Sequence, residues 1–283
     1  MKKTICLWTL LLIAVSCTND DNYNDRHGDK AVIPPKGRIL RVMTYNIYGA
    51  RATSPANAAD LDALAEVIRR QNPDFVTLNE VDAFTNRTGK DVHQARDLAA
   101  KLGMEWHFSK AIDRDGGEYG EGVTTRKKAV NKFSVALPKG VGAEPRVLVV
   151  MEMEDYVICT SHLDHVSSEA QLGQVELITK TMKERYGDSG KPVFLGGDMN
   201  ATPSSETGKL LQKDWEILTI TGFGTFPSDN PSKCIDYIMQ LKGTPKCEVV
   251  GSQILRWFKS GDVTKASDHL PVMLDIKLPA KNK

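Results

Sequence analysis

The chain is sparing in several things. It has five cysteines, and an odd number argues against a disulfide framework. Aromatic residues make up only 7% of it, and basic and acidic side chains nearly balance, at a formal net charge of +1. That balance gives no sign of a surface built for a polyanion. Its one long apolar run, Ile5 to Val15, falls short of the roughly 20 residues that a membrane-crossing helix needs. There is no internal repeat, and after Gly37 no Pro/Gly-rich linker divides the chain. What remains is an ordinary globular composition, 41% hydrophobic and 26% charged over 283 residues, with room for a large core.

The beginning is less ordinary. Lys2 and Lys3 precede the short apolar run, and Ser16-Cys17 follow it, the layout of a secretory signal peptide. "AVSC" resembles the lipobox of bacterial lipoproteins, with Ala14 where leucine is usual. That resemblance implies cleavage before Cys17 and lipidation of its thiol; the alternative is a plain signal peptide cut elsewhere. Residues 17–37 are polar and rich in Asp and Asn, so they read as a tether that buries too little to order itself. Without residues 1–16 the charge is −1, from 35 basic against 36 acidic residues. The expectation is an exported monomer, lipid-anchored at the cell envelope and at the outer membrane, with a folded domain over residues 38–283. Asp20 and Asp21 resemble the surface-export signals of some outer-membrane lipoproteins. Of the later cysteines, Cys234 and Cys247 lie on neighbouring predicted strands and are placed to pair in an oxidising compartment, which leaves Cys159 single.

Periodicity separates the elements. Arg38–Ile47 alternates and is a predicted strand; Asn57–Gln71 carries Leu61, Leu64, Ala65 and Ile68 at helical spacing and stops at Asn72-Pro73. "DFVTLNE" reads as a strand and "VHQARDLAAKLG" as a helix closed by Gly103. Strands are predicted over Glu105–Lys110, Tyr119–Thr125, Val130–Leu137, Arg146–Met153 and Tyr156–Ser161. Ser168 and Gln171 form a capping box for a helix reaching Arg185. The apolar stretch before Asp198, a short helix after Ser204, and strands at Trp215–Thr219, Cys234–Leu241, Glu248–Leu255 and Val272–Leu278 complete the list. Many strands with few helices, joined partly by helical crossovers and partly by tight turns, exclude a pure βα barrel. They imply sheets packed on each other with helices outside.

Acidic, amide and histidine residues gather where those strands end. Asn46 stands in "TYNI", Glu80 in "VTLNEVD", His162 and Asp164 in "CTSHLDH", Asp198 and Asn200 in "GGDMN", Asp236 in "CIDYIM", and Asp268 and His269 in "ASDHLPV". One such residue is an ordinary turn former. Six clusters at the edges of apolar runs point instead to a site where strand ends converge. Hard oxygen ligands such as Glu80, Asp268 and Asn46 suit Mg²⁺ or Mn²⁺. His162, Asp164 and His165 leave a zinc reading open, although no thiolate cluster supports it. An aspartate beside water and a histidine paired with a second aspartate are the parts of metal-assisted phosphate-ester hydrolysis.

"TYNI", "LNEVD", "SHLDH", "GGDMN", "IDYIM" and "SDHLPV" occur in the order seen in the endonuclease/exonuclease/phosphatase superfamily, which the chain resembles from about Leu40 to Leu278. The resemblance implies an α/β fold, a four-layer α/β/β/α sandwich of two mixed sheets with helices on both outer faces. It implies Glu80 as principal metal ligand, helped by Asn46 and Asp268, with Mg²⁺ or Mn²⁺ as cofactor. Asp198 would position or deprotonate the attacking water and Asn200 would hold the phosphate or that aspartate. His269, oriented by Asp236, and His162 would donate to phosphoryl oxygens, and Tyr119, Glu121 and Asp164 would lie at the substrate.

The departures are few. Asn79 replaces the usual glutamine, Gln171 a frequent arginine, and Glu121 an amide beside the substrate. A carboxylate there repels a phosphate unless a metal or a basic group intervenes. The leading function is a lipid-anchored Mg²⁺-dependent phosphoesterase acting on a phospholipid head group, an inositol phosphate or another small ester. An extracellular nuclease is the first alternative, with Arg126-Lys127-Lys128 and Arg256 to Lys259 as its only basic candidates. A binding lipoprotein on a retired hydrolase fold, and a structural domain whose polar strand ends are turns, are the others.

Overall fold

A computed structural model describes residues 39–51, 59–141, 143–256, 263 and 266–280. The expected signal peptide, the tether, the lipidated Cys17, residues 52–58 and the Trp257–Lys259 candidate lie outside the described residues. Among the described residues no helix is long and apolar enough to cross a membrane.

Twelve strands form two mixed sheets of six. The first has the order β11-β12-β1-β2-β4-β3, from β11 (Glu248–Ile254), β12 (Val272–Lys277), β1 (Ile39–Asn46), β2 (Phe75–Ala83), β4 (Gly117–Thr125) and β3 (Glu105–Arg114). The second has the order β5-β6-β7-β8-β10-β9, from β5 (Asn131–Ala136), β6 (Val147–Glu152), β7 (Val157–Ser161), β8 (Val193–Asp198), β10 (Asp236–Leu241) and β9 (Trp215–Ile217). Each sheet has one parallel pair, β1 with β2 and β7 with β8, and a helix lies between its members in sequence. The helices are α1 (Leu61–Gln71), α2 (Gln94–Leu102), α3 (Ser168–Tyr186) and α4 (Glu206–Asp214).

The alternation of each strand divides its apolar residues between two faces. On β1, Leu40 and Val42 join Phe75, Val149, Phe194 and Ile238 in a layer between the sheets. Met43 and Tyr45 turn the other way and pack with Leu64, Ile68 and Leu98 of α1 and α2. A third apolar layer sets Val175, Ile178 and Leu211 of α3 and α4 under β7, β8 and β10. Three apolar layers between four layers of structure make the expected sandwich. At about 25 cal/mol per Å² of apolar surface, burial of this kind is the main term opposing chain entropy.

Three local expectations change. The cap of α3 is Ser167, whose side chain accepts from the Ala170 amide, one residue before the predicted Ser168. Gln171 is drawn instead to the carbonyls of Asp164 and Asn200, so the capping box does not form. Cys234 and Cys247 are both free. They precede β10 and β11, strands of different sheets, and the two thiols sit in different apolar layers. The glycines before Asp198 are no hinge, because β8 runs through both of them. A Cβ on Gly196 would stand 2.8 Å from Thr77 Oγ1 of the facing sheet, and one on Gly197 would run into the Ser161 carbonyl.

Candidate active site

Register brings the polar strand ends together. Asn46 pairs with Asn79 across the parallel β1–β2 ladder, so β1 ends beside the point where β2 bulges at Glu80. β12 runs antiparallel to β1, which places Asp268 and His269, just before it, beyond the end of β1. In the second sheet Thr160 pairs with Gly196, and Asp236 pairs with Asp198. One edge of that sheet therefore collects His162, Asp198 and Asp236.

The two edges meet at one atom, Oδ2 of Asp198. Asn46 Nδ2 donates to it over 3.1 Å, His162 Nε2 lies 3.4 Å away, and His269 Nε2 lies 3.5 Å away. Asp198 Oδ1 accepts from the Asn200 amide at 2.8 Å. His269 Nδ1 is 2.9 Å from Asp236 Oδ2, which also accepts from Thr225 at 2.6 Å. The Asn200 side-chain amide is 2.8 Å from His162 Nε2 and 3.0 Å from the Leu163 carbonyl. Glu80 accepts from Asn46 Nδ2 at 3.1 Å, whereas the Asn46 oxygen is turned to the Tyr48 amide.

Glu80 is held in a conformation that side chains rarely adopt, at φ +57°, where β2 bulges between Leu78 and Val81. A left-handed non-glycine residue costs on the order of 1 kcal/mol, and such strain collects at functional sites. The bulge aims Glu80 out of the ladder and toward Asn46. Asn200 is left-handed as well, at φ +45°, a conformation its short amide side chain tolerates.

The electrostatics follow from burial. Asp198 is driven up to about 7, first by burial and then by the charge of Asp236. Burial also takes Asp268 to about 6. Burial opposes charge on His269, yet Asp236 and Asp198 outweigh it and hold that ring at about 10. His162 goes the other way: burial, then the Arg146 guanidinium, keep it well below the ordinary histidine range. Four groups on one site are thus pushed apart in a way that suits proton handling.

The residue types also fit a divalent cation. Glu80 and Asp268 are the least buried of the carboxylates here, and Asp268 Oδ1 has no hydrogen-bond partner. Ligand atoms of Asp198, Asp236 and His269 lie within 4.8 Å of one another, the one such group among the described residues. The hydrogen bond of His269 to Asp236 and its approach to Asp198 mark that trio as a proton-handling set, which leaves the oxygen ligands to Glu80 and Asp268, since the Asn46 oxygen is taken by the Tyr48 amide. His162, Asp164 and His165 make no such group, so the zinc alternative finds no support.

Of the residues expected at the substrate, Tyr119 has its ring beneath Arg114, whose guanidinium carbon is 4.8 Å from the ring centroid. Glu121 is wholly buried, accepts from Asn79 at 2.7 Å, and is raised by burial to about 8. Burial disfavours its charge, which weakens the expected repulsion of phosphate. Asp164 is engaged locally. Its carboxylate accepts from the amides of Val166 and Ser167 at 2.7 and 2.6 Å, so it builds the turn before α3.

Two residues matter more than their sequence context indicates. Asn79 spans the sheets: its oxygen accepts from the Asp198 amide at 2.8 Å while its nitrogen serves Glu121 and Thr160. Arg146, read only as the start of a strand, is buried against two histidines. A full-length arginine ahead of an all-apolar strand was the available signal.

The sequence model of the Endonuclease/Exonuclease/phosphatase family matches residues 43–269, which takes in every one of these residues. The chain belongs to that family. No curated protein matches its sequence. Solved family structures share the fold. One from Beutenbergia cavernae is 23% identical with a TM-score of 0.66, over 86% of this chain and 72% of that one. The mannosyl-6-phosphatase of Bacteroides thetaiotaomicron is 20% identical with a TM-score of 0.67, over 84% and 99%. The human Nocturnin catalytic domain, with bound sulfate, is 18% identical with a TM-score of 0.63, over 88% and 100%. At such identities the likeness to each is one of fold. Members of this fold family are metal-dependent phosphoesterases or nucleases, and the buried acidic and histidine cluster suits that chemistry.

Proposed function

We propose that the chain is a Mg²⁺- or Mn²⁺-dependent phosphoesterase that hydrolyses a small phosphate ester by attack of water. The observation that carries this reading is the convergence of Asn46, His162 and His269 on one oxygen of Asp198, with Glu80 and Asp268 beside it. Glu80 and Asp268 would hold the cation, with Asn46 orienting Glu80, and the cation when bound would neutralise phosphate charge and stabilise what develops in the transition state. Asp198, titrating at about 7, is matched to aligning water and taking its proton. His269, kept cationic by Asp236, and neutral His162 are donors for the phosphoryl oxygens. Asn200 holds Asp198 by its backbone and faces His162 by its side chain.

A small ester is favoured over nucleic acid. Arg126, Lys127 and Lys128 follow the end of β4 that pairs with Phe75, at the far end of β2 from Glu80. Arg126 is moreover bound to Pro73 and Asn72, so this basic run makes no rail for a phosphate backbone. The fold relative that is a mannosyl-6-phosphatase sets a precedent for a small monoester on this scaffold. Export and a lipid on Cys17 belong to the same proposal, supported by "AVSC" after the apolar run. Loss of membrane partitioning in Cys17→Ser would test that part.

The test of function is an assay of p-nitrophenyl phosphate, bis-p-nitrophenyl phosphate, sugar and inositol phosphates, sphingomyelin and plasmid DNA, with Mg²⁺, Mn²⁺ or EDTA and with Asp198→Asn alongside. Metal-dependent turnover of a small ester, absent in the variant, is expected. Faster cleavage of DNA would move the assignment to a nuclease, and bound Mg²⁺ without turnover of any ester would leave a binding protein.

A further inference from the structure

Arg146 joins a histidine that the proposed chemistry uses to one that it does not. The residue is 2% exposed, and its backbone carbonyl is fixed by the Leu137 amide. Its guanidinium forks: one terminal nitrogen lies 3.1 Å from Nδ1 of His162, the other 3.1 Å from Nδ1 of His165. Glu144 stands 3.7 Å from it, shared with Arg114, and its Nε has no hydrogen-bond partner. A buried arginine that meets two imidazoles, with a carboxylate only at ion-pair range, is an unusual use of a costly side chain.

A guanidinium has donors and no acceptor. Both Nδ1 atoms must therefore accept, and the single proton of each ring is left on Nε2. The opposite tautomer would set one N–H against another at 3.1 Å, and a doubly protonated ring would set cation against cation. We infer that Arg146 is a positioning residue that fixes His162 and His165 as neutral rings with the proton on Nε2, so that both face the substrate as donors.

Two consequences follow. His162 cannot take the proton of the attacking water through Nε2, because that nitrogen already carries one; the base is left to Asp198, 3.4 Å away. The acceptor facing that proton is Asp198 Oδ2, while the Asn200 side-chain nitrogen, 2.8 Å from the same Nε2, donates to the Leu163 carbonyl. His165 lines a cavity of about 360 Å³ beside Asn200, together with Ser168, Thr202 and Lys233. No aromatic side chain other than His165 is in that lining, and a fixed N–H donor there suits the oxygen-rich, unreacting part of a hydroxylated phosphate ester. Burial and the neighbouring guanidinium, which both disfavour charge on His162, agree with a neutral ring.

The assignment of tautomers needs no activity, while its effect on rate rests on the phosphoesterase reading. Ring ¹⁵N resonances of the full chain, assigned with His162→Gln and His165→Gln, should show His162 neutral at pH 7 and, in the neutral form of each ring, the proton on Nε2. A proton on Nδ1 of either neutral ring in the unaltered protein overturns the inference. In Arg146→Ala, kcat should fall about 100-fold, with KM little changed, and added guanidinium should restore part of it. Unchanged kcat per folded molecule would overturn the positioning role. If the variant fails to fold, the spectra of the unaltered protein decide. Fixed tautomers in a protein that turns over no ester would uphold the assignment of Arg146 and sink the phosphoesterase reading instead.

Discussion

The two sheets bring unlike things to the same place. The first supplies Glu80 and Asp268, both half-buried, one on a strained bulge and the other with an oxygen that nothing bonds. The second supplies Asp198, Asp236 and His162, which are buried and held by hydrogen bonds, and His269, from before β12 of the first sheet, is drawn into that set by Asp236. A strained carboxylate and a buried oxygen without a partner are what a bound cation would satisfy. An edge whose groups are already oriented does not have to reorganise during reaction, which is where electrostatic catalysis gains most.

The largest expected effect separates the two halves by function. Asp198→Asn should lower kcat on the order of 1,000-fold while Mg²⁺ affinity stays close to its original value. Glu80→Gln should weaken Mg²⁺ binding by about 100-fold. Titration calorimetry beside steady-state kinetics reads both, and loss of Mg²⁺ in Asp198→Asn would break the division. Next in size is Asp236→Asn. Without that carboxylate His269 drops from about 10 toward the ordinary histidine value, so activity on the alkaline side should fail earlier in a pH–rate profile, with about a 100-fold loss at pH 8. An unshifted alkaline limb would show that the charge on His269 is not what the reaction uses.

A smaller effect sharpens the first sheet's role. Asp268 titrates at about 6 and must lose its proton to hold a cation, so Mg²⁺ affinity should tighten from pH 5 to 7 and then level off. Proton release below pH 6 would appear as a dependence of the binding heat on buffer, and Asp268→Asn should remove it. The smallest effect concerns Glu121. Its folded-state value of about 8 lies above that of the unfolded chain, so it favours folding at acid pH and loses that contribution as pH rises toward 8. Glu121→Gln should therefore leave the melting temperature unchanged at pH 5 and raise it by about 2–4 °C at pH 8.5. An equal shift at both values would mean that Glu121 is ionised throughout.

Much of this was legible in one dimension. Asn46, Glu80, Asp198, Asn200, Asp236, Asp268 and His269 all follow or begin apolar strands, and their order alone carries the family resemblance. Element boundaries were legible too, because period and caps are local; α3 was displaced by one residue at its cap because Ser167, not Ser168, has the extended backbone. Less legible were the partners. Asp164 looks like a ligand beside His162, yet its Oδ1 accepts from two amides of its own turn. Glu121 looks like a repelling charge, yet its place between the sheets disfavours that charge.

The sequence by itself determined which chemical groups stand at strand ends and in what order, since alternation, turn residues and apolar runs act within a few residues of each other. Only the tertiary structure decided what each group touches. Asn79 reaches the amide of Asp198, 119 residues away, because two sheets face each other closely enough to need glycine at Gly196. Arg146 meets His162 and His165 because β6 and β7 are antiparallel neighbours, with Leu148 opposite Ser161. Protonation states follow from those meetings, because they depend on burial and on nearby charge, and neither exists until the chain has folded.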